Sequence, residues 1–194
     1  MSPDTTKAYD LVLKGRELWF KFTPESNAQA RAFYDQATAL DPAYGRAHAS
    51  LAWTHLIDAS ERWSDDPQIS LDAALAAAQQ GVRINPDSHT NPGALGQVYF
   101  SKGMHAEALE ALQRSISLNP NDPDSYVMYG RMLAYSGRND EAMAQIEKGV
   151  NMTANAPGWY HWMAGAVHYM GRRHEEAISA MRRSASPGPG VFRW

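Results

Sequence analysis

Two pairs of histidines are the first residues whose spacing could support chemistry. His48 and His55 form one pair, His161 and His168 form the other, and the members of each pair share a helix face. Two helical turns separate such members by about 10.5 Å, so neither pair can bind one zinc ion unless other ligands lie between them. We interpret both pairs as packing or surface histidines and predict no metal site.

The adjacent carboxylates of Asp65 and Asp66 are the next candidates, as a general acid and base. Pro67 follows them, and this order is typical of a helix cap followed by the first helical position. The sequence has no glycine loop for a phosphate, no nucleophile elbow and no His-Glu-x-x-His motif. An enzyme with its site in the insertion at 58–67 is therefore a disfavoured rival, and we predict no catalytic residue and no cofactor.

The most informative pattern in the chain runs from residue 95 to residue 120. Gly96 and Ala108 are small residues that let two helices approach closely, and Leu112 is placed to fill the space between them. Gly103 lets the chain turn between the helices, and the proline at the end of the stretch stops the second helix. The stretch therefore predicts a helix–turn–helix unit.

The same spacing recurs along the chain, for example at Gly130, Gly137, Ala142 and Ile146. Because the pattern returns in register, we predict an all-α, right-handed α-solenoid that forms a single array over residues 1–186. A Pro-Gly-Pro-Gly run predicts a flexible tail at 187–194. The array divides into five units, at 7–42, 45–86, 89–120, 123–154 and 157–185.

The spacing of Leu95, Gly96, Tyr99, Ala108 and Pro120 resembles that of a tetratricopeptide repeat, and the resemblance extends along nearly the whole chain. Two segments show a closer similarity. The segments 8–25 and 51–67, with their Ala-Tyr-Asp-Leu and Trp-Ser-Asp-Asp-Pro runs, resemble the repeat region of bacterial multidomain regulators of the class III adenylate or guanylate cyclase type. The resemblance implies a non-catalytic regulatory module of a bacterial signalling protein, and it carries over no catalytic residue.

In proteins with such repeats, the first helix of each unit lines a concave groove, and the resemblance implies the same here. Arginine and aromatic side chains are enriched among residues that dominate binding energy. A groove that presents them suits a protein or a peptide with apolar anchors and an acidic group. The expected groove residues are Arg16, Arg46, Trp53, Gln97, Phe100, Arg131, Tyr135, His161, His168 and Tyr169.

Four units depart from the regular spacing. In the first, Ala30 follows Gly15 by fifteen residues instead of twelve, and Thr23 is the expected cap of the second helix. The insertion at 58–67 is expected to lengthen the first helix of the second unit and to add a loop. Ala154 stands where a proline is expected, so the last helix of the fourth unit is predicted to continue for a further turn. The fifth unit, with Ala164 at the small-residue position, is predicted to have one extra residue in its turn.

The sequence shows no polar capping helix after the fifth unit. Its apolar edge is expected to be covered by the Phe192 and Trp194 tail, by a second copy of the chain or by a further domain. The second of these possibilities is the alternative function, namely self-assembly as a homodimer or larger oligomer through the uncapped C-terminal repeat.

The composition limits the remaining classes of function. There is no cysteine, which excludes a disulfide framework or a thiolate site. The net charge of −3 is far from the basic balance of a nucleic-acid-binding protein. The N-terminal residues do not have the pattern of a secretory signal, and no apolar stretch approaches the length of a membrane span. We therefore expect a cytoplasmic protein that binds neither nucleic acid nor membranes.

Overall fold

The computed structural model describes residues 3–185, and within this range it contains ten α-helices and no β-strand. The predicted all-α helical-repeat class is confirmed, whereas the predicted tail at 187–194 lies outside the described residues. The helices are α1 (Pro3–Trp19), α2 (Pro24–Leu40), α3 (Gly45–Ser60), α4 (Pro67–Ile84), α5 (Thr90–Ser101), α6 (His105–Leu118), α7 (Pro123–Tyr135), α8 (Asn139–Asn151), α9 (Gly158–Met170) and α10 (His174–Ser184).

The chain divides into two compact units, the first ending at Leu118 and the second beginning at Asn119. In the first unit, α1 packs against α2, α3 against α4 and α5 against α6, and the odd-numbered helices also pack against one another. In the second unit, α7 pairs with α8, α9 pairs with α10, and α7 contacts α9. Consecutive helices thus form pairs in each unit, and the continuity of all five pairs in one array stays a prediction.

The close packing of the third and fourth helix pairs depends on a glycine in the first helix of each pair. A Cβ atom on Gly96 would lie 2.8 Å from Cγ of Leu112 and 3.2 Å from the backbone oxygen of Ala108. A Cβ atom on Gly130 would lie 2.6 Å from Cγ1 of Ile146 and 2.7 Å from the backbone oxygen of Ala142. The roles predicted for these small residues and for the large side chains opposite them are confirmed.

The predicted register of the last helix pair is wrong by one residue. The glycine that faces the large side chain is Gly165, whose Cβ position lies 2.9 Å from Met181, and not its neighbour Ala164. With Gly165 in this role, the turn between α9 and α10 has no extra residue. Arg172 then takes the position that Gly103 has in the turn of the third pair. Its φ of 59° is close to the 76° of Gly103.

Helix caps fix the first two pairs as the sequence predicts. Thr23 and Ser26 form a capping box at the start of α2, and Asp66 accepts hydrogen bonds from two backbone N–H groups at the start of α4. The insertion lengthens α3 as far as Ser60 and forms a loop before Pro67. These caps satisfy backbone N–H groups that a helix start leaves without a partner inside the helix.

The fourth pair ends differently from the prediction, because α8 stops at Asn151 and does not continue for another turn. The hydroxyl of Thr153 donates to the backbone oxygens of Gly149 at 3.2 Å and Val150 at 3.3 Å. These two bonds satisfy carbonyl groups at the end of the helix and favour its termination.

The glycine contacts predict a large cost for the smallest possible side chain. We expect Gly130→Ala to lower the free energy of unfolding by about 2 kcal/mol, because the added Cβ meets the backbone of α8 and cannot be accommodated by a side-chain movement. Urea unfolding followed by circular dichroism measures the change.

Gly93→Ala is the matched control for this substitution, since its Cβ would meet only the Ser115 hydroxyl, at 3.3 Å. We expect the control to change stability by less than about 1 kcal/mol. Equal effects of the two substitutions would contradict the proposed role of Gly130.

Candidate functional site

A buried carboxylate joins α2 to α3 and holds the inserted loop. Asp58 lies near the end of α3 and is only 6% exposed. Its Oδ1 accepts a hydrogen bond of 2.7 Å from Nδ2 of Asn27, and its Oδ2 accepts one from the guanidinium of Arg31. Its backbone oxygen accepts a 2.9 Å bond from the N–H of Trp63. The sequence analysis missed this network, because its members lie on different helices and follow no repeated spacing.

Aromatic side chains of α1, of the residue that follows it and of α3 meet in the first unit. The Trp19 ring lies 6.4 Å from that of Trp53 and 5.3 Å from that of Phe20, with edge-to-face geometry in both cases. Phe20 is 58% exposed, and Trp53 is half-buried. Two neighbouring odd-numbered helices therefore present aromatic surface to solvent.

Two predicted arginines accompany these aromatic residues. Arg16 on α1 and Arg46 in the first turn of α3 are both exposed. Burial raises the pKa of Tyr34 to about 12, and the positive charges of the two arginines act in the opposite direction. We call the set Arg16, Trp19, Phe20, Arg46 and Trp53 the α1–α3 surface.

The loop of the insertion adds a further aromatic contact to the first unit. The ring of Trp63 packs edge-to-face on that of Phe22 at 5.2 Å, which connects the inserted loop to the turn between α1 and α2. Phe22 has a φ of 51°, a conformation that is uncommon for a large side chain. The sequence gives no signal for this contact, since both residues lie in loops.

The two predicted residues on α5 are less accessible. Gln97 is 3% exposed, so its side chain has almost no surface to offer a ligand. Phe100 is half-buried, and its ring lies 5.6 Å from the imidazole of His105. Of these two residues, only Phe100 retains surface for binding.

In the second unit, α7 and α9 carry the remaining predicted residues. Arg131 is half-buried, and burial lowers its pKa to about 10, which leaves the side chain charged at neutral pH. Tyr135 is 59% exposed and Tyr169 is 67% exposed. The Tyr169 ring lies 5.7 Å from the imidazole of His174. These side chains offer a second set of cationic and aromatic groups.

His161 and His168 on α9 are two further predicted groove residues. Both line a pocket of 180 Å³ formed by α8, α9 and α10. Arg183, which also lines the pocket, was not identified from the sequence.

Within residues 3–185, no three histidine, aspartate or glutamate side chains are placed so that they could hold a metal ion. None of the helices described is long and apolar enough to cross a membrane.

Comparisons with known proteins agree with the helix pairs. Tetratricopeptide repeat models match residues 93–122 and 111–144. A segment of 76 residues, 39% of this chain, is 32% identical to putative adenylate cyclase 3 of Rhizobium meliloti (strain 1021). That segment spans only 13% of the relative's length. The chain therefore contains tetratricopeptide repeats, and its resemblance to a cyclase-type protein is confirmed.

Solved structures with similar folds include a thermophilic TPR protein of Thermus thermophilus (TM-score 0.75, 17% identity, 91% of this chain and 89% of that chain). Another is YrrB, described as a TPR protein with an unusual peptide-binding site (TM-score 0.54, 21% identity, 90% of this chain and 82% of that chain). At these identities the similarity defines the fold and not the ligand. The fold is consistent with a protein-binding scaffold, and proteins built from such repeats are generally non-catalytic.

The imidazole beside the Asp58 network predicts a pH dependence of stability. Burial, followed by the positive charge of Arg31, lowers the pKa of His55, while Asp58 and Asp35 act in the opposite direction. The unfolded chain therefore takes up a proton near pH 6.5, whereas the folded chain does so only at lower pH. We expect the free energy of unfolding to fall as the pH is lowered from about 7.5 to about 5.5.

Urea unfolding at both pH values measures this dependence, and His55→Gln should reduce it because the variant removes the titrating imidazole. His48→Gln is the matched control and should retain the wild-type slope. If the slope in His55→Gln equals that of the wild type, His55 does not cause the effect.

Proposed function

We propose that this chain is a non-catalytic scaffold that binds a protein or an extended peptide on the surface of its odd-numbered helices, as a regulatory module of a bacterial signalling protein. The main support is the α1–α3 surface, which combines exposed and half-buried aromatic rings with two exposed arginines. Tryptophan and arginine are prominent among residues that dominate binding energy.

The chemistry of this surface favours a ligand with an apolar anchor and an acidic group. Trp53 and Trp19 offer rings against which an apolar side chain can pack, and burial of such a side chain is favourable. Arg16 and Arg46 can donate hydrogen bonds to a carboxylate, often in pairs. In the second unit, Arg131 and Tyr135 provide a similar combination of charge and ring.

The regulatory part of the proposal is supported by the similarity to putative adenylate cyclase 3 of Rhizobium meliloti (strain 1021). In a multidomain regulator, a repeat module that binds a partner can control an attached output domain through its differential affinity for two states. The matched segment covers 13% of that relative, so the control of an output domain is part of our proposal.

The binding proposal predicts that Trp53→Ala weakens the affinity for a bound peptide by about 30-fold, as expected for a tryptophan at the centre of an interface. Peptides are first selected from a random display library on the wild-type chain. The affinity of a selected peptide for each variant is then measured by fluorescence anisotropy. Arg16→Ala should weaken peptides that contain an acidic group more than peptides that lack one.

Trp159→Ala is the matched control, because Trp159 is a half-buried tryptophan of α9 in the other unit, packed on Tyr160 at 4.4 Å. It should leave the affinity unchanged. Unchanged affinity in Trp53→Ala would overturn the assignment of the α1–α3 surface. A loss of helical circular dichroism in Trp53→Ala would show instead that this residue is part of the core.

A second candidate function is self-assembly through the last helix pair. The observation that favours it is the exposure of apolar side chains there, with Ile178 54% exposed on α10 and Met170 37% exposed on α9. Exposed apolar groups of this kind can be buried in a symmetric interface between two copies.

Self-assembly predicts that the mass in solution rises with protein concentration and that Ile178→Glu abolishes the rise, because the charge would be buried in the interface. Sedimentation equilibrium at two concentrations measures the mass. Glu176→Gln, an exposed substitution on the same helix, is the control. A monomeric mass of the wild type at both concentrations would exclude this function.

A further inference from the structure

The pocket between α8, α9 and α10 combines an apolar floor with several polar groups. Met143, Ile146 and Val150 from α8 and Ala164 from α9 supply the apolar surface. The remaining lining residues are polar or charged: Glu147, Asn151, His161, His168 and Arg183.

In the second helix pair, an imidazole and an arginine lie at the positions that correspond to this pocket. His55 follows the small residue Ala52 by the same spacing that separates His168 from Gly165. The guanidinium of Arg31, from the preceding helix, lies 3.4 Å from Nδ1 of His55. The imidazole in this pair is therefore packed against a charged side chain of the same chain.

In the last pair, the residues that would complete this arrangement are different. Met143 takes the register position of Arg31, and Gly171 takes the register position of Asp58. Nδ1 of His168 is buried and has no hydrogen-bond partner. A buried polar atom without a partner is unfavourable, and His168 is one of the residues that line the pocket.

We propose that this pocket binds a carboxylate that carries a short, branched apolar chain. The apolar chain would lie on Ile146 and Val150, and the carboxylate would accept hydrogen bonds from Arg183 and from the imidazoles of His161 and His168. The site shares no residue with the α1–α3 surface. It is formed by α9, by α8, which precedes it, and by α10.

The charged groups that act on His168 come from α8, from α10 and from the turn between α9 and α10. Burial lowers its pKa, and the positive charges of Arg173 and Arg183 act in the same direction, whereas Glu176 and Glu147 act against them. Burial and Arg183 also lower the pKa of His161. A bound carboxylate adds a negative charge beside both rings, so it should raise both pKa values.

The test is a titration of the full chain with isobutyrate at constant ionic strength, followed by NMR of the histidine ring protons. The seven histidines give separate reporters. We expect the signals of His161 and His168 to shift and saturate with a dissociation constant on the order of 1 mM. Those of His48 and His55, at the equivalent positions of the second pair, should stay in place. Isobutyramide, which has the same shape without the charge, should cause no saturating shift.

Arg183→Gln should weaken the binding of isobutyrate by roughly tenfold, since it removes a charge-assisted hydrogen bond. Arg182→Gln is the matched control, because it makes the same change at the next, exposed residue of α10. Glu147→Gln should tighten binding, because it removes a negative charge that repels the carboxylate.

N-acetylvaline distinguishes the two sources of such a ligand. Tighter binding of N-acetylvaline than of isobutyrate would identify the C-terminus of a peptide, and weaker binding would identify a free small acid. Parallel shifts of all histidine signals, or an equal response of Arg183→Gln and Arg182→Gln, would overturn the proposal.

Discussion

The approach of two helices at a residue without a side chain is the constraint on which this structure depends. At Gly96, Gly130 and Gly165, an added Cβ would lie less than 3.0 Å from the large residue of the paired helix. Each of these contacts fixes how the first helix of the pair is rotated about its axis. The rotation in turn decides which residues of that helix face a neighbouring helix and which face solvent. The assignment of a binding residue is therefore a consequence of register.

The histidines show how strongly register governs function. His55 and His168 occupy the same position in their helix pairs, and both have a pKa lowered mainly by burial. One packs beside an ion pair and contributes to stability, while the other lines a pocket. Changes at two neighbouring positions, from Arg31 to Met143 and from Asp58 to Gly171, accompany the change from packing to cavity. The proposed carboxylate site therefore depends on residues that differ between two helix pairs of the same fold.

The features that the sequence predicted correctly are those set by local rules. The turn at Gly103, the helix cap at Thr23 and the helix start at Asp66 each depend on a few consecutive residues. The identity of the fold was also accessible, because the spacing of small and large residues repeats.

Features that depend on two helices at once were not predictable in this way. Ala164 and Gly165 are both small, and only the position of Met181 on the paired helix distinguishes them. The Asp58 network joins residues far apart in sequence, so no local sequence motif predicts it. The exposure of Gln97 and Trp53 likewise depends on packing between elements. For this reason the fold was predicted more completely than the candidate site.

The conformation of Arg172 has a consequence for local unfolding. Gly103 and Gly137 adopt the left-handed turn without steric cost, whereas a residue with a Cβ pays about 1 kcal/mol for it. α10 follows this turn directly and has 11 residues, fewer than any other helix within the described range. Because of the strained turn and the short helix, we expect the α9–α10 hairpin to have the lowest free energy of local unfolding in its unit. Its amides should exchange with solvent through partial openings that leave α7 and α8 folded.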